Sequence, residues 1–290
     1  MIKNKGKNNR LKSKNRSVCT ELGNKNKRKN SHRGKIGHFS SANLFRLLFW
    51  TAISVGVIVY LVFLYNTFVK PYSNRWNAVY RTFIYPKGTI RGIDVSRYQK
   101  EIDWETLKNA KLDGAPVSFV FIKATEGSDI IDKYYNYNFY NARRNRIIRG
   151  AYHYFTTKSS AIEQAKFFCR TVQLEKGDLP PVLDIETIGN YNKERLQSET
   201  QIWLDYVERY FGVKPIIYSS HKFITDYLDS NLFKTYRCWI AHYYVDSLKY
   251  NGKWTFWQHS DVGKVEGVDG FVDVNVFNGS YEDLLELTLK

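Results

Sequence analysis

The sequence predicts an α/β fold: a closed barrel of eight strands lacking some of its outer helices, preceded by a basic tail and one membrane-spanning helix. Three observations predict it. Beyond Gly88, apolar strand-like runs alternate with amphipathic helical stretches, which implies a parallel sheet with helical crossovers. Eight such strands fit into about 200 residues, the size of one compact unit. An uncharged apolar run precedes them all.

The first 46 residues hold fourteen Lys and Arg against a single acid, Glu21, so about +13 of the formal +16 sits there. Rich in Asn, Ser, Gly and Lys, this segment cannot bury a core and is expected to be a disordered cytoplasmic tail. Residues 47–69, LLFWTAISVGVIVYLVFLYNTFV, carry no charge over 23 positions between Arg46 and Lys70. That length crosses a hydrocarbon core of about 30 Å as a helix, with Trp50 and Tyr65 near its ends, where amphipathic rings favour the interface. A cleaved signal would have a shorter apolar core and a small-residue cleavage site, and YNTFVKPY offers none. An uncleaved anchor is therefore expected, its basic side in the cytoplasm and everything after Lys70 exported. Residues 70–88 read as a spacer, and residues 89–290 as the barrel.

Within the barrel, IRGIDVS reads as a strand and DWETLKNAK as a helix capped by Asp103. SFVFIKATEG, IIRGAYHYF and PVLDIE are the next strands, separated by helices in YYNYNFYNARRN and SSAIEQAKFFCRTV. A helix around RLQSETQIWLDYVERYF leads to the strand KPIIYSS and the short helix HKFITDYL. After that RCWIAHY, TFWQHS and GFVDVNVF follow with only loops between them. Cys169 and Cys238 fall in a helix and a strand far apart in sequence and are expected to be separate buried thiols.

In parallel α/β barrels the chemistry gathers at the C-terminal ends of the strands. Asp94 lies near the end of the first strand, Asp184 and Glu186 end the fourth, and Asp273 reads as late in the eighth. Closure makes the first and eighth strands neighbours, so Asp94 and Asp273 are expected side by side, with the other pair across the same mouth. Asp184 and Glu186, two apart on a strand, share one face roughly 7 Å apart. Four carboxylates in one cleft repel each other and resist burial, a large cost for a mere scaffold.

The segments RGIDVSRYQKEIDW, FVFIKATEG, IIRGAYHYF, PVLDIE, IIYSS, WIAHY and TFWQHSDVGKVEGVDGFVDVNVFNG together resemble family 25 of the glycoside hydrolases, the Chalaropsis-type lysozymes. The resemblance covers about Thr89 to Ser280. It implies a modified TIM-like barrel of eight strands with about five helices, and N-acetylmuramidase activity on peptidoglycan. It also implies that Glu186 is the general acid of the Asp-x-Glu motif, with Asp184, Asp94 and Asp273 as the other active-site acids. Two departures stand out: a membrane anchor in place of the cleaved signal of many members, and extra acids in QHSDVGKVEGVDG.

The chemistry suits these groups. Glycoside cleavage needs a carboxyl still protonated near neutral pH to protonate the leaving oxygen, and ionised acids to stabilise the developing charge. Two nucleophiles stay open: the substrate's own N-acetyl oxygen, oriented by Asp184, or Asp94. Tyr152, Tyr218 and Trp257 are candidates for stacking on sugar rings, with barrel-core packing as the alternative for each; Trp239 and Trp254 read as packing residues. Lys123 and Glu126 either line the cleft or form an internal ion pair. His153, His242 and His259 lack metal-ligand spacing and read as hydrogen-bonded core imidazoles, so no metal or cofactor is expected. The basic tail lacks interleaved aromatics and lies beside the apolar run, so anionic lipid and topology explain it better than nucleic acid. No obligate protein partner is evident. The competing functions are a tethered wall-binding module without catalysis and a related chitin-type glycosidase.

Overall fold

The structure is a computed structural model that describes residues 41–79, 90–112 and 114–290. The tail up to residue 40 and the spacer from residue 80 to 88 lie outside the described residues. The chain divides into two compact units, residues 1–57 and 58–290. Helix α1 (Ser41–Leu64) is followed by a five-residue π-helical turn (Tyr65–Val69) and α2 (Lys70–Val79). Within Ser41–Ser73 an 18-residue stretch has a mean hydropathy of 2.5 and buries nothing, so the helix is long and apolar enough to cross a membrane. The apolar run 47–69 lies inside it.

Eight strands of the second unit close into a barrel. They are β1 (Ile90–Val95), β3 (Ala115–Glu126), β5 (Ile148–Tyr154), β6 (Val182–Asp184), β7 (Ile216–Ser220), β8 (Arg237–Ala241), β9 (Phe256–Gly263) and β10 (Val272–Phe277). Neighbours follow in the order β1-β10-β9-β8-β7-β6-β5-β3, and β1 pairs with β3 to close the ring. Two-residue strands β2 (Lys111–Leu112) and β4 (Ile130–Ile131) form antiparallel pairs with β3. All eight strands expected from the sequence are present.

One expectation fails in direction. β10 runs antiparallel to both β9 and β1, so Asp273 is the second residue of its strand rather than a late one. The cause is the connection. Only residues 264–271 separate β9 from β10, whereas a parallel return needs a crossover of roughly a dozen residues or more. The early end of β10 therefore meets the late end of β1, and Asp94 faces Asp273 across the ladder.

The helices follow local signals. Asp103 caps α3 (Trp104–Leu107) by accepting from the Thr106 amide, and Ser160 with Glu163 forms a capping box on α5 (Ala161–Thr171). Asn192 opens α6 (Lys193–Phe211), which ends at Gly212 with φ 70°, a left-handed cap that glycine adopts freely. The remaining helices are α4 (Tyr135–Arg144), α7 (His221–Phe223, continued by a π turn to Leu228) and α8 (Tyr281–Leu287).

Two apolar layers result. One lies between strands and helices, with Phe168, Trp203 and Leu204 against Ile122 and Leu183. The other fills the barrel lumen: Phe121 stacks on Trp239 at 4.4 Å and meets Phe256 edge-on at 5.0 Å. Burying each such ring contributes about 1.5–3 kcal/mol. Phe119 and Phe121 fit because Gly92 and Gly150 lie against them; a Cβ at either glycine would collide with the neighbouring ring. Cys169 and Cys238 are free and buried.

Candidate active site

Toward one end of the barrel the inward positions change from apolar to polar. Taken at every second residue, β3 presents Phe119, Phe121 and Lys123, β6 presents Val182 and Asp184, and β7 presents Ile216 and Tyr218. β10 runs the other way and presents Asp273, Asn275 and then Phe277. The lumen thus has an aromatic floor and a charged mouth.

At the mouth Asp94 is 6% exposed. Its Oδ2 accepts from the Gln258 side-chain amide at 2.8 Å and from the Asn275 amide at 2.7 Å. Burial raises its pKa to about 6; the Asn275 and Gln258 bonds pull it down, and the nearby Glu186 charge pushes it up. Asp273, opposite, is raised to about 9 by burial and by the charges of Asp94 and Asp261. Asp273 therefore holds the proton of this pair and Asp94 the charge near neutral pH.

Asp184 ends β6 and is buried, and its Oδ1 has no hydrogen-bond partner. Burial lifts its pKa well above the usual carboxylate range; Glu186 adds to the rise and Lys123 opposes it. Glu186, two residues on, is exposed at the mouth. The protein around it still raises its pKa by desolvation, against the Tyr218 hydroxyl and the Lys123 ammonium. No ion pair among the described residues involves any of these four acids. The four expected carboxylates thus act on one another in one cleft.

The three aromatic candidates separate. Tyr152 and Tyr218 belong to the lumen, 9% and 6% exposed, and both lie in the field of the acids, which with burial raises their phenol pKa values well above 10.0. They form the floor under the acids. Trp257 is on the other face of the barrel. Phe256 and Gln258 take the inward positions of β9, so alternation turns Trp257 outward. There it is buried, its indole N–H donates to the His242 carbonyl at 2.8 Å, and it meets His259 edge-on. Trp257 is therefore withdrawn from the sugar-contact set.

The other residues singled out in the sequence resolve individually. Lys123 forms an ion pair with Glu126 at 2.7 Å and sits over the Tyr154 ring at 4.6 Å, so it is both paired and at the mouth. His153 is a core imidazole between Thr125 and Gln164, stacked on Trp203, and burial drops its pKa to about 3. His259 is also buried, with its pKa likewise lowered to about 3 by burial. Among the described residues no cluster could hold a metal ion. A surface cavity of 830 Å³ opens at the opposite end, lined by Lys214, Arg237 and Lys290 among others, and holds none of the acids.

Sequence reasoning missed Gln258, Asn275 and Tyr243. Gln258 and Asn275 lie inside segments quoted for the resemblance, TFWQHS and VDVN, and Asn275 stands two residues from Asp273 on the same strand face. A polar residue at an inward strand position is the signal that would have found them. Trp239 packs as expected, and its indole N–H also donates to Asn275 Oδ1 at 2.7 Å.

The profile of Glycosyl hydrolases family 25 matches residues 93–268, which includes Asp94, Asp184 and Glu186 and stops short of Asp273. The chain is 42% identical over 237 residues to the uncharacterized protein YegX of Escherichia coli K12, covering 81% of this chain and 84% of that one. It is 35% identical over 215 residues to Lysozyme M1 of Streptomyces globisporus, covering 68% and 71%. Among solved structures, the bacterial lysozyme of Streptomyces coelicolor superposes with a TM-score of 0.65 at 32% identity, covering 70% of this chain and 98% of that one. A family 25 glycosyl hydrolase from Bacillus anthracis gives 0.63 at 32% identity, covering 71% and 97%. With barrel, mouth and matches in agreement, the chain belongs to glycosyl hydrolase family 25, a family of lysozyme-type peptidoglycan hydrolases.

Proposed function

We propose that this protein is a membrane-tethered N-acetylmuramidase that cleaves the β-1,4 bond between N-acetylmuramic acid and N-acetylglucosamine in peptidoglycan. Glu186 is the general acid and Asp184 orients the substrate's N-acetyl group. The observation that carries this reading is Asp184 itself: a buried carboxyl with an unpartnered oxygen beside a second acid at the mouth. An uncompensated acid costs the fold stability. The N–H of a bound N-acetyl group is the kind of donor it lacks.

The steps balance without a cofactor. Glu186 gives its proton to the glycosidic oxygen as the C1–O bond breaks. The N-acetyl oxygen attacks C1, and Asp184 accepts the amide N–H and stabilises the positive ring that forms. Water then attacks C1 as the bond from C1 to the acetyl oxygen breaks and the N-acetyl group re-forms, and the water's proton passes to Glu186, restoring the acid. Asp94 is the weaker nucleophile candidate, since one of its oxygens already accepts two amide hydrogen bonds. Its charge instead stabilises the developing cation. Tyr152 and Tyr218 support the sugar site from below.

The apolar stretch at residues 47–69 anchors the enzyme with its N-terminus in the cytoplasm and its barrel outside, where peptidoglycan lies. Mass spectrometry of purified peptidoglycan digested by the full-length protein tests the chemistry. Reducing N-acetylmuramic acid ends are expected; reducing N-acetylglucosamine ends would make it a glucosaminidase, and no products would favour a binding module. A reporter fused after Lys290 tests the topology, since it should be active only if exported.

A further inference from the structure

The Asp94 carboxylate is buried and forms no ion pair among the described residues. The groups that face it are acids and phenols: Asp273 from β10, Asp184 and Glu186 from the end of β6, Tyr152 from β5, Tyr218 from β7 and Tyr243 from beyond β8. The cation Lys123 acts on Asp184 and Glu186. Nothing in that set except hydrogen-bond donors can favour a charge on Asp94.

Two side-chain amides do most of this, and a hydrogen bond shared with the Asp273 carboxyl adds a smaller part. Gln258 Nε2 and Asn275 Nδ2 converge on one oxygen, Oδ2. Each amide is held from behind. The hydroxyls of Tyr218 and Tyr243 both donate to Gln258 Oε1 at 2.7 Å, and Trp239 donates to Asn275 Oδ1 at 2.7 Å. These bonds also fix which end of each amide faces the acid. With Oε1 and Oδ1 occupied by donors, only the NH₂ groups remain for Asp94, and an ionised carboxylate can only accept. Hydrogen bonds to a charged group are the stronger kind, about 1.5–3 kcal/mol each.

We propose that Gln258 and Asn275 are positioning residues, an amide clamp that keeps Asp94 ionised and thereby sets the acid limb of the enzyme's pH–activity profile. The proposal rests on the muramidase reading above. The clamp also decides where the proton of the Asp94–Asp273 pair resides: amide donors on Asp94 leave Asp273 as the protonated partner. Glu186 governs the alkaline limb, because catalysis needs it protonated. The two limbs are therefore held by different parts of the mouth.

The test is kcat/KM on solubilised peptidoglycan from pH 4 to 9, which reports the free enzyme's essential groups, using full-length protein in detergent. Gln258→Met and Asn275→Leu keep the bulk and remove the amide. Each raises the Asp94 pKa, so the acid limb moves to higher pH by about one unit, while the alkaline limb stays in place. Tyr243→Phe removes only a hydroxyl behind the clamp from a half-buried position; its acid limb moves the same way by a few tenths of a unit. This variant keeps the test decisive where an inner substitution prevents folding. An acid limb at the wild-type position in Tyr243→Phe and in whichever clamp variant folds would overturn the proposal. A uniform fall in rate with no shift would overturn it equally, since that is what a packing role gives. Failure of the parent reading looks different: Glu186→Gln would keep wild-type rates.

Discussion

Two places in the barrel bury charge, and they do it in opposite ways. Arg149 and Asp178 form a two-pronged pair at 2.8 and 3.0 Å, both nearly fully buried. A third N–H of the guanidinium reaches the Phe139 carbonyl at 2.6 Å, and Asp178 also accepts the Glu175 amide at 2.8 Å. Charge and hydrogen-bonding capacity are both satisfied there. At the mouth, Asp94, Asp184, Glu186 and Asp273 crowd together with no ion-pair partner among the described residues. Their charge is managed by two amides, by retained protons, and in Asp184 by nothing on one oxygen. A buried pair that serves the fold is complete in itself, whereas a buried cluster that serves catalysis stays incomplete until substrate arrives.

The sharpest test of that contrast is Glu186→Gln. It should cut turnover about 10²–10⁴-fold without lowering the thermal midpoint, measured by muropeptide release and calorimetry on the same preparation. A comparable loss of stability would place Glu186 with the structural pair. Next in size is Arg149→Leu, which leaves the buried Asp178 with the more distant, half-exposed Arg143 at 3.5 Å as its ion-pair partner. Denaturant unfolding should show a loss of about 3–5 kcal/mol, while turnover per folded molecule at low temperature stays at the wild-type level.

Asp184→Asn should split the two properties. Turnover falls about a hundredfold as the N-acetyl group loses its acceptor, yet stability rises by about 1 kcal/mol because a poorly compensated acid is gone. Lower stability in this variant would break the claim that the mouth burdens the fold. The smallest effect is on stability against pH. Folded-state values of about 6 for Asp94 and about 9 for Asp273 lie above the unfolded value of about 3.9. The folded state thus keeps protons that the unfolded chain has lost. The contribution is complete below about pH 4 and is lost as pH rises through about 6 and then about 9. Asp273→Asn should flatten the upper part of that fall, read from unfolding midpoints at pH 5, 7 and 9.

The strand order of the barrel was legible because β1, β3, β5, β6, β7, β8, β9 and β10 each carry a local apolar run bounded by turn or cap residues. Asp184 and Glu186 were legible for the same reason: acids interrupting an apolar strand are a local anomaly. Trp257 was misread because an aromatic on a strand looks the same in sequence whichever face it takes. Only the inward contacts of Phe256 and Gln258 fix the phase of β9.

The sequence by itself determined what local pattern can encode: an apolar stretch at 47–69, eight strands, a helix cap at Asp103, and four acids. These follow from period, length and side-chain chemistry within a few residues. The tertiary structure alone decided the direction of β10, and with it that Asp273 meets Asp94 from the start of its strand. It alone brought Gln258 and Asn275 onto one oxygen of an acid more than 160 positions away. Strand direction depends on where a short loop can deliver the chain, and convergence on one atom depends on closure of the whole barrel. Neither is a property of any single segment.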